Sequence, residues 1–363
     1  MFLKTVMERN QPLVRLGIEW QQNGVILPDT YLLDYDTILE NARSIKQAGD
    51  ANGVQNFFML KQIGRNPLIA RALTDMGYVG AVCVDFREAL TMVENQIPLG
   101  NVGHLVQIPR AALKKILRAK PVIVTVYTLE KAREISAVCT ELGLHQKLML
   151  RVLGEGDMLY SGQYGGFELQ ELDSAVRAIE AMPNVEVGGV CSFPCFLYDE
   201  AAQDILPMPN LRTVQTAAEM LRARGYRDLM LNTPSATCTH SIPMIAAAGG
   251  THGEPGHGLT GTTPYHAGHP DAEERPGYLY VSEVSHNLGD KAYCYGGGHY
   301  RRGHMKNALV GTTPENAKVV PVLPPDDSSI DYHFELQQNC PVSAAAVMAF
   351  RTQFFAVSYT HLR

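Results

Sequence analysis

The stretch Asn56-Phe57-Phe58-Met59-Leu60-Lys61-Gln62-Ile63-Gly64-Arg65-Asn66-Pro67 decides how the rest of the chain is read. Its first five residues, 56–60, read as a strand, an apolar run of four after Asn56. Lys61 ends that run, and a helical pattern with apolar residues at i, i+3 and i+4 starts at Pro67 and continues to 76. The alternation then repeats. Apolar, β-branched runs fall at 79–84, 104–108, 122–126, 147–152, 186–191, 228–231 and 259–262, and amphipathic stretches at 87–95, 111–119, 129–141, 169–181 and 211–224 lie between them. Alternating βα units predict a parallel sheet.

Eight such strands close naturally into a (β/α)8 TIM barrel, whose active site lies at the C-terminal strand ends. An open doubly wound sheet is the alternative that the same alternation permits. After about His269 the texture changes, because Pro and Gly cluster, helical periodicity stops, and 279–284 and 317–323 resemble antiparallel strands. The expected organisation is an N-terminal segment over 1–29, a barrel over 30–270 and a C-terminal β-rich domain over 271–363. The final residues Val357-Ser358-Tyr359-Thr360-His361-Leu362-Arg363 resemble translated adapter read-through, which predicts that the C-terminal domain is cut short.

Composition narrows the function. With 363 residues, 45% hydrophobic and 19% charged, the chain can bury a sizeable core. A net charge of -6 without a basic stripe argues against nucleic acid and predicts a small-molecule substrate. The seven cysteines are dispersed apart from Cys191-x-x-x-Cys195, which reads as reduced thiols in the cytoplasm. No segment approaches the roughly 20 apolar residues of a membrane span, and residues 1–9 lack a signal-like apolar core.

Three features carry chemistry. An ammonium in a barrel mouth is costly to bury, and desolvation that lowers its pKa turns Lys61 into an amine able to attack an aldehyde. A lysine ending a strand in solvent is the plainer reading. In Gly253-Glu254-Pro255-Gly256-His257-Gly258-Leu259-Thr260-Gly261-Thr262-Thr263, crowded glycines can expose backbone N–H groups to a phosphate, or can simply join two domains. Asn232-Thr233-Pro234-Ser235-Ala236-Thr237 follows the seventh strand, and the loops after strands seven and eight are the usual phosphate site of such a barrel.

The order of Leu32-Leu33-Asp34 with Asn41, the strand-end Lys61, Ser235-Ala236, and Pro255-Gly256 with Gly261 resembles the fold type III pyridoxal-phosphate (PLP) enzymes of the alanine racemase N-terminal barrel family. The similarity is greatest to their YhfX-like branch. The resemblance implies an alanine-racemase-type barrel with a C-terminal β-rich domain, an amino-acid substrate, PLP as cofactor and a homodimer. It further implies that Lys61 is the Schiff-base lysine, and that Ser235, Gly256 and His257 hold the phosphate together with Arg65, which replaces a tyrosine.

Two residues then point to different reactions. Glu254 stands where racemases of the family carry Arg and decarboxylases carry Glu. A carboxylate facing the pyridine nitrogen keeps it protonated and strengthens the electron sink, favouring decarboxylation, elimination or aldol cleavage. A loop cap or a surface ion pair is the plainer role for that glutamate. Tyr295, in Gly289-Asp290-Lys291-Ala292-Tyr293-Cys294-Tyr295-Gly296, matches the racemase tyrosine that reaches the other subunit's site as a second base, or it packs a β-turn. Two bases on opposite faces are what racemisation requires. An amino-acid racemase is therefore the leading expectation, a decarboxylase or lyase the second, and a non-catalytic PLP-binding protein the third.

Phe193 is expected to stack on the cofactor in place of a family histidine. Arg151 lies near a family lysine, and Tyr164 and Arg301 are candidates for the substrate carboxylate. Eight of the twelve histidines fall between His240 and His304, which reads as a polar rim rather than a metal site because no tight ligand motif accompanies them. Cys340 reads as a buried thiol, with a partner-donated acid as the alternative.

Overall fold

The computed structural model describes residues 1–354 except 297, 298, 324, 327 and 331, so the 357–363 tail lies outside the described residues. The chain forms two compact units, Arg43–Gly256 and Met1–Ala42 with His257–Phe354.

The first unit is a TIM-like barrel of eight parallel strands. They are β1 (Gln55–Asn56), β2 (Ala81–Cys83), β3 (Leu99–Val102), β4 (Ile123–Val126), β5 (Gln146–Leu153), β6 (Val185–Cys191), β7 (Met230–Asn232) and β8 (His252–Gly253). Each pairs with the next in the series, β8 returns to β1, and a parallel bridge between Phe58 and Ala81 closes the ring. The strands are buried on both faces, as Ile123-Val124-Thr125-Val126 illustrates, which is why they read as continuous apolar runs rather than alternating ones. Helices on the outside bury one stripe each. Arg110–Arg118, for example, turns Ala112, Leu113, Ile116 and Leu117 inward and carries Lys115 and Arg118 in its last turn, where cations complement the helix dipole. The side chains of Asn66, Asp85 and Thr128 cap the helices after β1, β2 and β4.

Two strands differ from the sequence expectation. The third is Leu99–Val102, not 104–108, and the eighth is His252–Gly253, not 259–262. Both contain a glycine that packing demands. A Cβ on Gly100 would lie 2.4 Å from the Phe57 ring, and one on Gly253 would lie 2.8 Å from Asn56 Oδ1. Gly, Asn and His in such short strands hide the apolar signal that propensity relies on.

The second unit is an antiparallel β-barrel. Thr30–Leu33, Tyr278–Leu288, Lys291–Tyr295, His333–Leu336, Lys318–Leu323, Asn307–Gly311 and Ala345–Met348 are neighbours in that order, and Ala345–Met348 also pairs with Tyr278–Leu288. The expected strands at 279–284 and 317–323 are both present. Thr30–Leu33, expected in the parallel barrel, is instead an edge partner of Tyr278–Val281. Inside lie Tyr280, Val284, Cys294, Phe334 and Phe350. Helices Leu3–Arg9 and Gln11–Gln22 cover the other face, with Val6 and Ile18 packed against Leu279, Val281 and Val347. No helix among the described residues is long and apolar enough to cross a membrane.

Candidate active site

Chain direction past β1 places Lys61. Phe57 and Met59 donate to the carbonyls of Gly253 and Pro255, and Phe58 donates to Gly80, so the extended backbone continues beyond β1 to the C-terminal end of the barrel. There Lys61–Ile63 forms a single 3₁₀ turn, ended by Gly64 at φ 71° and Arg65 at φ 57°. Lys61 is half-buried, and its charge acts on both Glu88 and His104. Arg65 is buried beside Glu88, with Nε 3.0 Å from Oε1, while Oε2 of the same carboxylate accepts from Val84 N–H at 2.6 Å. Burial pushes the Glu88 carboxyl up, against the pull of Arg65 and Lys61. The guanidinium expected at a phosphate thus has a carboxylate partner within its own unit.

Glu254 follows β8 and is 5% exposed, so neither a surface ion pair nor a solvent-facing loop cap describes it. Its Oε1 accepts from Asn232 Nδ2 at 2.6 Å and from Asn101 Nδ2 at 3.3 Å. Asn101 is fixed in turn by the Thr125 hydroxyl, which donates to its Oδ1 at 2.7 Å. Among the described residues Oε2 makes no hydrogen bond and lies 3.7 Å from Nε2 of His104, whose two ring nitrogens are likewise unbonded although the residue is 1% exposed. Burial holds His104 below the usual imidazole range, and Arg151 and Lys61 act in the same direction, while Glu254 opposes them. Asn101, His104 and Asn232 were not singled out from the sequence. Polar residues ending apolar strands were the available signal.

The other expected residues divide between the units. Ser235 follows β7, and its Oγ donates to the Phe196 carbonyl at 2.7 Å. Gly256 follows β8, where a Cβ would lie 2.5 Å from the Gln62 side-chain amide, so this loop closes on the turn that carries Lys61 and a larger residue there would have to displace that amide. His257 falls in the antiparallel unit, with Nε2 3.1 Å from the Thr352 carbonyl. Tyr295 ends a strand of that same unit, 39% exposed and tilted against His333 at 5.7 Å. Phe193 meets the His104 ring edge-on at 5.6 Å, and Tyr160 also packs on it at 5.6 Å. Arg151 is buried and donates to the Tyr127 hydroxyl at 2.7 Å and the Gln163 carbonyl at 2.8 Å. Tyr164 is exposed, and the Arg301 side chain lies outside the described residues.

His266 is no rim residue, since it is buried in a capping box and pairs with Glu274 at 3.0 Å. His240 does lie at the surface, 2.7 Å from Asp204. No group of three His, Cys, Asp or Glu among the described residues could hold a metal ion. Cys340 is a buried thiol in the β-barrel core, raised by that burial.

Residues 33–264 match the family described as "Alanine racemase, N-terminal domain", and 279–361 match "YhfX-like, C-terminal domain". The protein YhfX of Escherichia coli K12 is 42% identical over 357 residues, covering 98% of this chain and 92% of its own. The chain belongs to the alanine racemase N-terminal-domain family, in its YhfX-like branch. Solved structures share the family's fold at low identity. Alanine racemase from Clostridium difficile 630 with cycloserine superposes with a TM-score of 0.65 at 15% identity, covering 90% of this chain and 86% of that one. D-threonine aldolase from Filomicrobium marinum gives 0.65 at 16%, over 89% and 86%. D-threo-3-hydroxyaspartate dehydratase from Delftia sp. HT23 gives 0.64 at 15%, over 90% and 91%.

The family binds pyridoxal 5'-phosphate. The residues of this YhfX-like chain suit that cofactor. A strand-end amine, a buried carboxylate with one oxygen unclaimed, an unbonded Thr233 hydroxyl and small-residue loops after β7 and β8 offer partners for an aldehyde, a ring nitrogen and a phosphate.

Proposed function

We propose that this chain is a PLP-dependent enzyme acting at the α-carbon of an amino acid, and that cleavage of a substituent bond, as in elimination or aldol cleavage, is its main reaction. Lys61 carries the cofactor, with Arg65, Ser235 and Gly256 around the phosphate. Bound there, PLP supplies an aldehyde and an electron sink. Lys61 then holds or moves the proton at the reacting carbon, and Glu254 keeps a proton at the ring nitrogen.

The burial of Glu254 carries this reading. With Oε1 accepting from two carboxamides and Oε2 buried without a hydrogen bond among the described residues, this glutamate suits a pyridinium partner better than any surface role. An aldolase and a dehydratase share the fold, as alanine racemases do. Racemisation stands second, supported by Tyr295. That hydroxyl is exposed at a strand end and serves as the opposite-face base in a homodimer that brings it to the partner's Lys61.

Incubation of D- and L-amino acids, including β-hydroxy ones, with PLP-loaded protein in deuterated water separates the two. Release of ammonia, an aldehyde or a keto acid supports cleavage. A Cα-deuterated opposite enantiomer with nothing released supports racemisation. Under the cleavage reading, Glu254→Gln lowers turnover by about 10²-fold, whereas Tyr295→Phe leaves it within about threefold.

A further inference from the structure

A buried carboxylate has about four lone-pair directions to satisfy. Glu254 fills those of Oε1 with Asn232 and Asn101, while among the described residues Oε2 has no hydrogen bond, and His104, whose Nε2 lies 3.7 Å from it, has two unbonded nitrogens. Unpaired polar atoms this deep cost stability unless a ligand completes them. We infer that His104 is a positioning residue for Glu254, its Nε2–H occupying one lone pair of Oε2 so that the other faces the cofactor's ring nitrogen. This rests on the PLP reading above.

The local backbone is built for such a role. Gly103, at φ 91°, turns the chain off β3 where a Cβ would lie 2.7 Å from the Thr125 carbonyl oxygen. The His104 carbonyl accepts from the Tyr127 hydroxyl at 2.6 Å, and that hydroxyl accepts from Arg151 at 2.7 Å. The backbone is therefore pinned while the ring stands between Phe193 and Glu254. The groups whose charge acts on the imidazole are Glu254, Arg151 and Lys61, and burial, with the two cations acting the same way, outweighs Glu254 to favour the neutral ring. A neutral imidazole has one donor and one acceptor nitrogen. At 3.7 Å the pair is longer than a hydrogen bond, and the pairing requires it to shorten when the cofactor is bound.

A double-mutant cycle on PLP affinity tests this, read by titrating PLP into wild type, His104→Phe, His104→Gln, Glu254→Gln and the double variant His104→Phe/Glu254→Gln. His104→Phe is expected to weaken binding by roughly tenfold to hundredfold, and His104→Gln, which restores an N–H near the Nε2 position, to recover most of it. In the Glu254→Gln background the His104→Phe loss should nearly vanish, which a packing role would not produce. Equal PLP affinity for His104→Phe, or the same loss in both backgrounds, overturns the inference while leaving the Lys61 reading intact. Failure of wild type to bind PLP at all sinks that reading and this one with it. Should His104→Phe not fold, ¹⁵N shifts of the His104 ring in PLP-loaded wild type decide the matter. A protonated Nε2 with a bare Nδ1 supports the pairing, and the reverse tautomer excludes it.

Discussion

The two units solve opposite problems. The antiparallel barrel encloses an apolar interior in which Tyr280, Phe334 and Phe350 meet edge to face or tilted, with ring centroids 5.6–5.9 Å apart. The parallel barrel instead holds polar atoms at its C-terminal end that are buried and, among the described residues, without hydrogen bonds, in Glu254, His104, Asn232 and Thr233. Apolar burial of the first kind stabilises, and unpaired polar burial of the second kind costs free energy. The comparison teaches that the antiparallel unit is organised for stability and the parallel unit for a ligand that completes it.

The largest expected effect lies in the apolar interior. Phe334→Ala should cost about 3–5 kcal/mol of stability by urea denaturation, because the ring is fully buried in the apolar cluster and packs against Gly296 and Tyr280. A cost below ~1 kcal/mol would break the contrast. The second effect belongs to the parallel barrel and depends on pH. His252, stacked on Phe57 at 5.0 Å, has its pKa lowered by burial from 6.5 to about 4. The unfolded chain therefore takes up this proton first, and stability present above pH 6.5 is lost as pH falls toward 4. The loss approaches about 3 kcal/mol. Denaturation curves at pH 7 and pH 4.5 should show a smaller acid penalty for His252→Gln than for wild type, and an unchanged penalty would refute the assignment. The smallest effect is Gly103→Ala, where a positive φ and the Thr125 carbonyl oppose a Cβ. About 1–3 kcal/mol of stability should be lost, together with PLP affinity if the turn aims His104.

Much of this contrast was legible in the sequence. The βα alternation identified the parallel barrel because its central strands are buried on both faces and so carry unbroken apolar runs. β3 and β8 escaped because Gly100 and Gly253 are required by neighbours no sequence displays. Lys61, Ser235, Glu254 and Gly256 lie in ordered local motifs and could be named individually. Asn101, His104 and Asn232 could not, since Asn101 and Asn232 meet Glu254 only through strands more than a hundred or about twenty positions away, at |i−j| of 153 and 22. Thr30–Leu33 was misassigned for the same reason, its partner being Tyr278–Val281.

The central claim is that Lys61 carries PLP at the end of β1. Visible spectra of purified protein with added PLP, taken before and after borohydride reduction and repeated for Lys61→Ala, test it most directly. The expected result is a bound-cofactor band in wild type that borohydride abolishes and that Lys61→Ala lacks. A wild type without such a band, or a Lys61→Ala variant that keeps it, would contradict the claim.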